Sequence, residues 1–348
     1  ARGAGTSHLS LPGGVRATLV SGENYVTNCR IHRVSRLAWT YHPAISLSGC
    51  GHRAAHNLID DLPHSAILFS GNNHVLEANE IRRVCQISSD AGAIYIGRDW
   101  GFRGNVIRGN FIHHIQTAQE GYGAHGVYLD DCVSGIEVSG NVFHRIDDIA
   151  IMAGGGRDLM LRGNLIAECG FGHRNDDRGR TRITNLPGDS WNLLARLSAE
   201  GIRYQQPPWS TTFPACAVIP NTWEAVQQGL WRNPEGCVFS DNAGWGNTTW
   251  TAESNPSGTG VFRVYAAIAN NEPAQAALFD EAASLDRARR PAQLRASPSE
   301  FAPIAFAAIG RTWTGQAAAT VRPPSPELEG RVISPNQVEL HWTDLGNL

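Results

Sequence analysis

An asparagine recurs along this chain at near-fixed intervals, each time in the same local setting. It stands at Asn28, Asn57, Asn79, Asn110, Asn141 and Asn164, at steps of 29, 22, 31, 31 and 23 residues, with a late copy at Asn242. Five copies are followed two residues later by Ile59, Ile81, Ile112, Phe143 or Ile166. Self-similarity at a period of roughly 20 to 50 residues marks a solenoid, in which no single repeat buries its apolar face alone.

A second pattern keeps step with the first. Ala44-Ile45-Ser46-Leu47, Ala66-Ile67-Leu68-Phe69, Ala93-Ile94-Tyr95-Ile96, Gly126-Val127-Tyr128-Leu129 and Ala150-Ile151-Met152-Ala153 each alternate an apolar residue with a variable one. That is the period of a strand with one buried face. Another short alternating run follows, such as Gly104–Arg108 or Gly135–Ser139, and then the asparagine with its apolar residue. Three short strands per repeat, with no amphipathic helix between them, exclude leucine-rich and ankyrin-type arrays. They predict an all-β right-handed parallel β-helix, whose coils stack ~4.8 Å apart. The asparagines then have a structural job. Asparagine tolerates the left-handed region at a tight bend, and its amide can bond to the asparagine one coil away. Gly109, Gly140 and Gly163, each just before a ladder asparagine, support the bend.

Composition excludes several chemistries. Of 348 residues, 37 are Gly and 10 are Trp, unlike the Leu/Lys/Glu bias of helical solenoids. The net charge of −3 leaves no general footprint for nucleic acid or an anionic membrane. No apolar run reaches the length of a membrane span. All 29 basic side chains are arginine. Lysine chemistry is therefore absent, and carboxylates, His and Tyr must carry any proton transfer, because arginine stays charged. The seven cysteines show no metal-binding spacing. Cys29, Cys85 and Cys169 read as buried small hydrophobes, Cys50 and Cys132 lie too many coils apart to pair, and Cys216 with Cys237 flanks a loop as a candidate disulfide. The chain opens on Ala1 without a signal peptide, as a trimmed product would.

Residues 1–315 read as the β-helix, interrupted at 171–235. There His173–Arg178 is polar, Asp189–Leu197 is a capped helix, Pro207–Ser210 is extended or a turn, and Thr222–Val226 is a second helix. Such an excursion usually lies over a binding face. The coils resume at Cys237–Asn242, residues 250–310 form a cap, 316–326 is a linker, and 327–348 begins a further β-module.

One column of the first strands stands out. Where earlier coils have Ser48 and Ser70, a later one has Asp130, followed by Asp131. One coil before, the stretch is Gly97-Arg98-Asp99-Trp100. Asp99 and Asp130 are expected ~8 Å apart, from ~4.8 Å between coils and ~6.6 Å along a strand. Paired carboxylates at such a distance serve as acid and base in glycoside cleavage, and their mutual repulsion raises one pKa. Tyr95, Tyr128, Trp100 and Trp209 are candidate sugar-binding rings, Arg98 a candidate anion clamp, and His125 and Asp148 further binding residues. Asp90, Asp131 and Asp147-Asp148 also stand where turn formers would. The Gly154-Gly155-Gly156 run has no lysine or helix to make it a phosphate loop, and reads as a low groove floor. His113, His114 and His144 read as structural.

The phrases Asp90–Trp100, Gly104–Arg108, Gly126–Asp131, Pro207-Pro208-Trp209 and Phe301–Gly310 resemble a group of bacterial right-handed β-helix proteins, nearest to glycoside hydrolase family 141. The resemblance covers roughly residues 20–310. It implies α-L-fucosidase- or xylanase-type activity and catalytic roles for Asp90 and Asp131, whereas strand geometry alone favours Asp99 and Asp130. A secreted or periplasmic monomer acting on a plant or algal polysaccharide or oligosaccharide is the resulting expectation, without a cofactor, structural Ca²⁺ being left open. A β-helical lyase using Tyr128, His125 and Arg98, and a non-catalytic glycan-binding solenoid, are the alternatives.

Overall fold

The computed structural model describes residues 9–254, 266–269, 290, 293, 304–311, 328–334 and 337–342. The chain is a right-handed parallel β-helix. Each coil contributes one strand to each of three sheets. The first sheet holds eight parallel strands, among them Ile45–Leu47, Ile67–Phe69, Ala91–Gly97, Ala124–Asp130, Ile149–Gly154 and Phe171–Asp176. The second also has eight strands, and the third, which carries the residues after each asparagine, has seven.

The interior follows from the alternation. In the first sheet Ile45, Ile67, Ile94, Val127 and Ile151 pair rung by rung. In the third, Ile31, Ile59, Ile81, Ile112, Phe143 and Ile166 do the same. All of them are buried. Each such side chain contributes about 1.5–3 kcal/mol relative to exposure. Because like residues occupy like positions, one register satisfies every coil, and a slip by one residue would turn each stack outward.

The asparagine ladder runs where the second sheet turns into the third. The side-chain amide of Asn57 donates to Asn79 Oδ1 at 2.9 Å, and the pattern repeats through Asn110, Asn141, Asn164 and Asn242 at 2.9–3.0 Å. Each ladder oxygen also accepts the backbone N–H of the previous asparagine. Two details differ from the sequence reading. Asn28 is outside the ladder; Cys29 occupies that rung and donates its backbone N–H to Asn57 Oδ1. The left-handed conformation belongs to the residue before each ladder asparagine, namely His56, Ala78, Gly109, Gly140, Gly163 and Asp241, and Asn28 adopts it before Cys29. Asparagine is used here for its two-sided amide, not for its backbone freedom.

Other expectations are corrected. Phe171–Asp176 is a full strand of the first sheet, so the insertion starts six residues later than predicted. The polar segment His173–Asp177 is thereby ordered, with His173, Asn175, Asp176 and Asp177 buried. Inside the insertion, Leu193–Leu197 is a helix capped by Asn192, and Trp223–Gln228 one capped by Thr222. Trp209–Thr212, expected as extended, is helical. All seven cysteines are free, so Cys216 and Cys237 do not pair. Cys216 is enclosed in the insertion's own core, and the Cys237 thiol donates to Gly156 O inside the coil. The expected linker and most of 250–310 lie outside the described residues. Leu328–Ser334 and Gln337–Trp342 form an antiparallel pair.

The insertion runs back along the corner between the first and second sheets. Its apolar side packs on Trp100 and Cys132, which come from corner turns of two coils. The Trp209 indole donates to Arg16 O at 2.8 Å, near the first coil. One flank of the first sheet is thus walled.

Replacing Asn110 by Ala strands buried donors of Asn79 and removes three donations of its own. The expected loss is about 3–5 kcal/mol, at 1–3 kcal/mol per orphaned group. Asn28→Gly, outside the ladder, is expected to cost less than about 1 kcal/mol. Thermal denaturation of the two variants checks the contrast.

Candidate functional site

On the outward face of the first sheet, two columns carry chemistry. One reads Ser46, Leu68, Tyr95, Tyr128, Met152, Arg174. In the next, Gly97 pairs with Asp130 and Gly154 with Asp176. The predicted alignment of Asp130 with Ser48 and Ser70 agrees with the observed register.

Asp130, Asp131 and Asp176 converge on one guanidinium that the sequence reading passed over. Arg178 Nη1 donates to Asp130 Oδ1 at 2.6 Å and to Asp131 Oδ1 at 3.1 Å. Its Nε and Nη2 grip Asp176 at 2.6–2.9 Å. Arg98 Nε donates to Asp131 Oδ2 at 2.8 Å, and its Nη2 reaches the same oxygen. The Tyr95 hydroxyl donates to Asp130 Oδ2 at 2.8 Å. Glycine makes room for this. A Cβ on Gly154 would stand 2.8 Å from Arg178 Cζ, and one on Gly97 3.2 Å from the Tyr95 hydroxyl. The Gly154–Gly156 run therefore seats Arg178 and is no open floor.

Three carboxylates face two guanidiniums, an excess of one negative charge in a shielded place. Burial, then the neighbouring Asp131, push the Asp130 carboxyl up to about 6, against the pull of Arg178, Tyr95 and Tyr128. Burial and the Asp130 charge also hold the Tyr95 and Tyr128 hydroxyls well above their usual range. Desolvation disfavours the Arg178 cation, but Asp176, Tyr128 and Asp130 outweigh it, so the cation is firmly held.

Asp90 belongs to the same cluster. The Tyr128 hydroxyl donates to Asp90 Oδ1 at 3.1 Å and also interacts with Asp130. Gly92 permits this, since a Cβ there would meet Tyr128 Cβ at 2.7 Å. Asp90 is exposed, while Asp130 and Asp131 are nearly enclosed. The chain thus brings Asp90, Asp130 and Asp131 together.

The remaining candidates are elsewhere. Asp99 is buried under the insertion; its carboxylate accepts Gly101 N–H at 2.7 Å and lies 3.6 Å from Arg196. It shares no hydrogen-bond or ion-pair partner with Asp130, because the chain turns the corner between Gly97 and Asp99. Trp100 and Trp209 are 1% and 0% exposed, both in the insertion core, so neither ring presents a face. His125 is sealed beneath Tyr128, 4.7 Å between rings, and burial pushes it down to about 3. Its Nδ1 lies 3.4 Å from Asp148 Oδ2, and burial raises that half-buried carboxyl. Arg98 is occupied by Asp131 and packs 4.8 Å over Trp191, with Nη1 on Ser190 Oγ at 3.1 Å.

Exposed aromatic residues occur on the loops from third to first sheet: Trp39, Tyr41 and Tyr122 are 55%, 68% and 79% exposed. No group of His, Cys, Asp or Glu among the described residues could hold a metal ion. The chain matches no known family, no curated protein and no solved structure.

The class the fold defines is a parallel β-helix with an acidic, arginine-braced cluster on its first sheet. Replacing Arg178 by Met is expected to destabilise the chain by about 3–5 kcal/mol at pH 7, the cost of leaving buried charges uncompensated. Without Arg178 the folded pKa of Asp130 rises further above its unfolded value. A raised carboxyl keeps its stability below the unfolded pKa and loses it as pH rises through the folded one. The defect is therefore expected to be full above pH ~7 and to shrink below pH ~6. Denaturant titrations across that range check it.

Proposed function

We propose that this chain is a glycoside hydrolase that cleaves a polysaccharide or oligosaccharide across the first sheet, with Asp130 as the acid and Asp90 as its partner carboxylate. The observation that carries the reading is the Tyr128 hydroxyl, which donates to the exposed Asp90 and feels the charge of the shielded Asp130.

The step follows. An Asp90 oxygen attacks the anomeric carbon while the glycosidic C–O bond breaks. The departing oxygen takes the proton of Asp130. Water then attacks the glycosyl ester, Asp130 removes its proton, and Asp90 is released. Tyr95 steadies Asp130 through both halves, while Asp131, pinned by Arg98 and Arg178, fixes the local field. Arg98 and Arg178 occupy both oxygens of Asp131, which favours a positioning role for the residue that the resemblance makes catalytic. The site sits between the insertion wall and loops bearing Trp39, Tyr41 and Tyr122, whose exposed rings suit stacking on sugars. A secreted or periplasmic setting and a fucosidase- or xylanase-like specificity belong to the same proposal. The lyase alternative loses support because Arg98 is paired and His125 is enclosed.

A polysaccharide and nitrophenyl glycoside panel tests this by reducing-end release. Asp130→Asn and Asp90→Asn are each expected to lose two to four orders of magnitude, while Asp99→Asn keeps activity if folded. The rate is expected to fall as pH rises through about 6, where Asp130 gives up its proton. Unsaturated products would instead mean elimination, and binding without cleavage would mean a non-catalytic solenoid; either contradicts the proposal.

A further inference from the structure

We propose that Arg174 is the recognition point for an acidic substituent, a sugar carboxylate or sulfate, carried by the glycan in this cleft. The inference rests on the glycan-cleaving reading above and adds the substrate's charge to it.

Most cations near the cleft are already committed. Arg98 is bound to Asp131, and Arg178 to Asp130, Asp131 and Asp176. Arg180 lies 3.9 Å from Asp177, and Arg182 packs over Trp191. Arg174 and Arg182 have no side-chain hydrogen bond or ion pair among the described residues, and of the two only Arg182 is engaged by an aromatic ring. Arg174 is half-buried, in the outward column, on the same strand as Asp176. The titratable groups that feel its charge are Asp148, whose carboxyl it lowers, and His125, which burial keeps neutral. Neither bonds to it. A guanidinium that has given up part of its hydration without gaining an acceptor leaves that cost open for a ligand to offset.

Position supplies the second observation. Tyr128 pairs with Met152, and Met152 with Arg174. Arg174 therefore stands two rungs from Tyr128, ~10 Å along the helix axis. That is of the order of one disaccharide from the cleavage point. Met152 lies between them, buried against Tyr128 and Ile149. The planar fork of an arginine matches a carboxylate or sulfate with two parallel bonds. In the equivalent column the earlier coils carry Ser46 and Leu68, so the charge marks one direction along the cleft.

The test is calorimetric titration in an Asp130→Asn background, so that no probe is consumed. The probes are tetragalacturonate and its carboxyl-reduced form, and a sulfated galactan tetrasaccharide and its desulfated form. One charged probe is expected to bind at least tenfold more tightly than its neutral partner. Arg174→Gln should erase that preference with an unchanged melting temperature, and Arg174→Lys should keep part of it. The first pair identifies a uronate, the second a sulfate. A preference that survives Arg174→Gln, equal binding of charged and neutral probes, or no binding by either charged probe overturns the proposal. Cleavage assays with Asp130 intact separate the two readings. Arg174-dependent binding without cleavage leaves this subsite and removes the hydrolase; cleavage of neutral glycans without charge preference does the reverse.

Discussion

Parallel, in-register stacking of like residues is the constraint on which everything else rests. A β-helix coil has no core of its own. It becomes stable only when Ile94 lies on Ile67 and Val127 on Ile94, and when Asn79 hands its amide to Asn110. Apolar stacking sets which face turns in, and the asparagine amides set the register at one corner. The two devices agree from the rung of Asn57 to that of Asn164, and such agreement across levels makes a single fold favourable. The same register that aligns the interior also aligns whatever the outward positions carry.

The outward cluster exploits that alignment at an energetic cost. Three carboxylates, Asp130 and Asp131 from one coil and Asp176 from two rungs further on, repel one another in a place with little water. Arg178 makes the arrangement tolerable, and it reaches the cluster only because Gly154 and Gly155 have no side chains in its path. Arg98 supplies the second positive charge and ties the cluster to Ser190 and Trp191 of the insertion. Two cations for three anions leave one negative charge in excess, and the Asp130 carboxyl is raised by it and by burial. A chain with no lysine has to balance such a site with arginine, whose charge does not titrate near neutrality. Titration stays with the carboxyls.

The fold was legible because its signals are periodic. The ladder asparagines and the apolar alternation repeat over six coils, so single exceptions such as Asn28 did not mislead the assignment. The acidic column was legible for the same reason, since Asp130 stands in register with Ser48, Ser70 and Gly97. What sequence reasoning missed was local and aperiodic. Phe171–Asp176 turns His173 and Asn175 inward, and a strand with polar residues on its buried face has no apolar alternation to read. His173 is accommodated by stacking on Phe239, 4.2 Å between rings, a contact across 66 residues of sequence. Hiding that strand hid Asp176, Arg174 and Arg178 with it. Asp99 and Trp100 were misplaced because the corner after Gly97 turns them beneath an insertion whose path no short-range pattern specifies, and Trp209 because that insertion buries it in its own core. The link between Asp90 and Asp130 depended on Gly92, an absent side chain that lets Tyr128 lie close. One signal was available in retrospect: the glycines opposite Asp130 and Asp176 interrupt an otherwise occupied column.

Crowding of the acids shows most directly in how the Asp130 carboxyl titrates. Isotope-edited infrared titration of carboxyl groups, comparing wild type with Asp130→Asn, reads it without any substrate. A carboxyl band that is lost in the variant and titrates with a midpoint near 6 is the result this structure predicts. A midpoint in the ordinary aspartate range, below about 4, would mean that the rungs do not crowd their acids together, and the proposed acid would not exist.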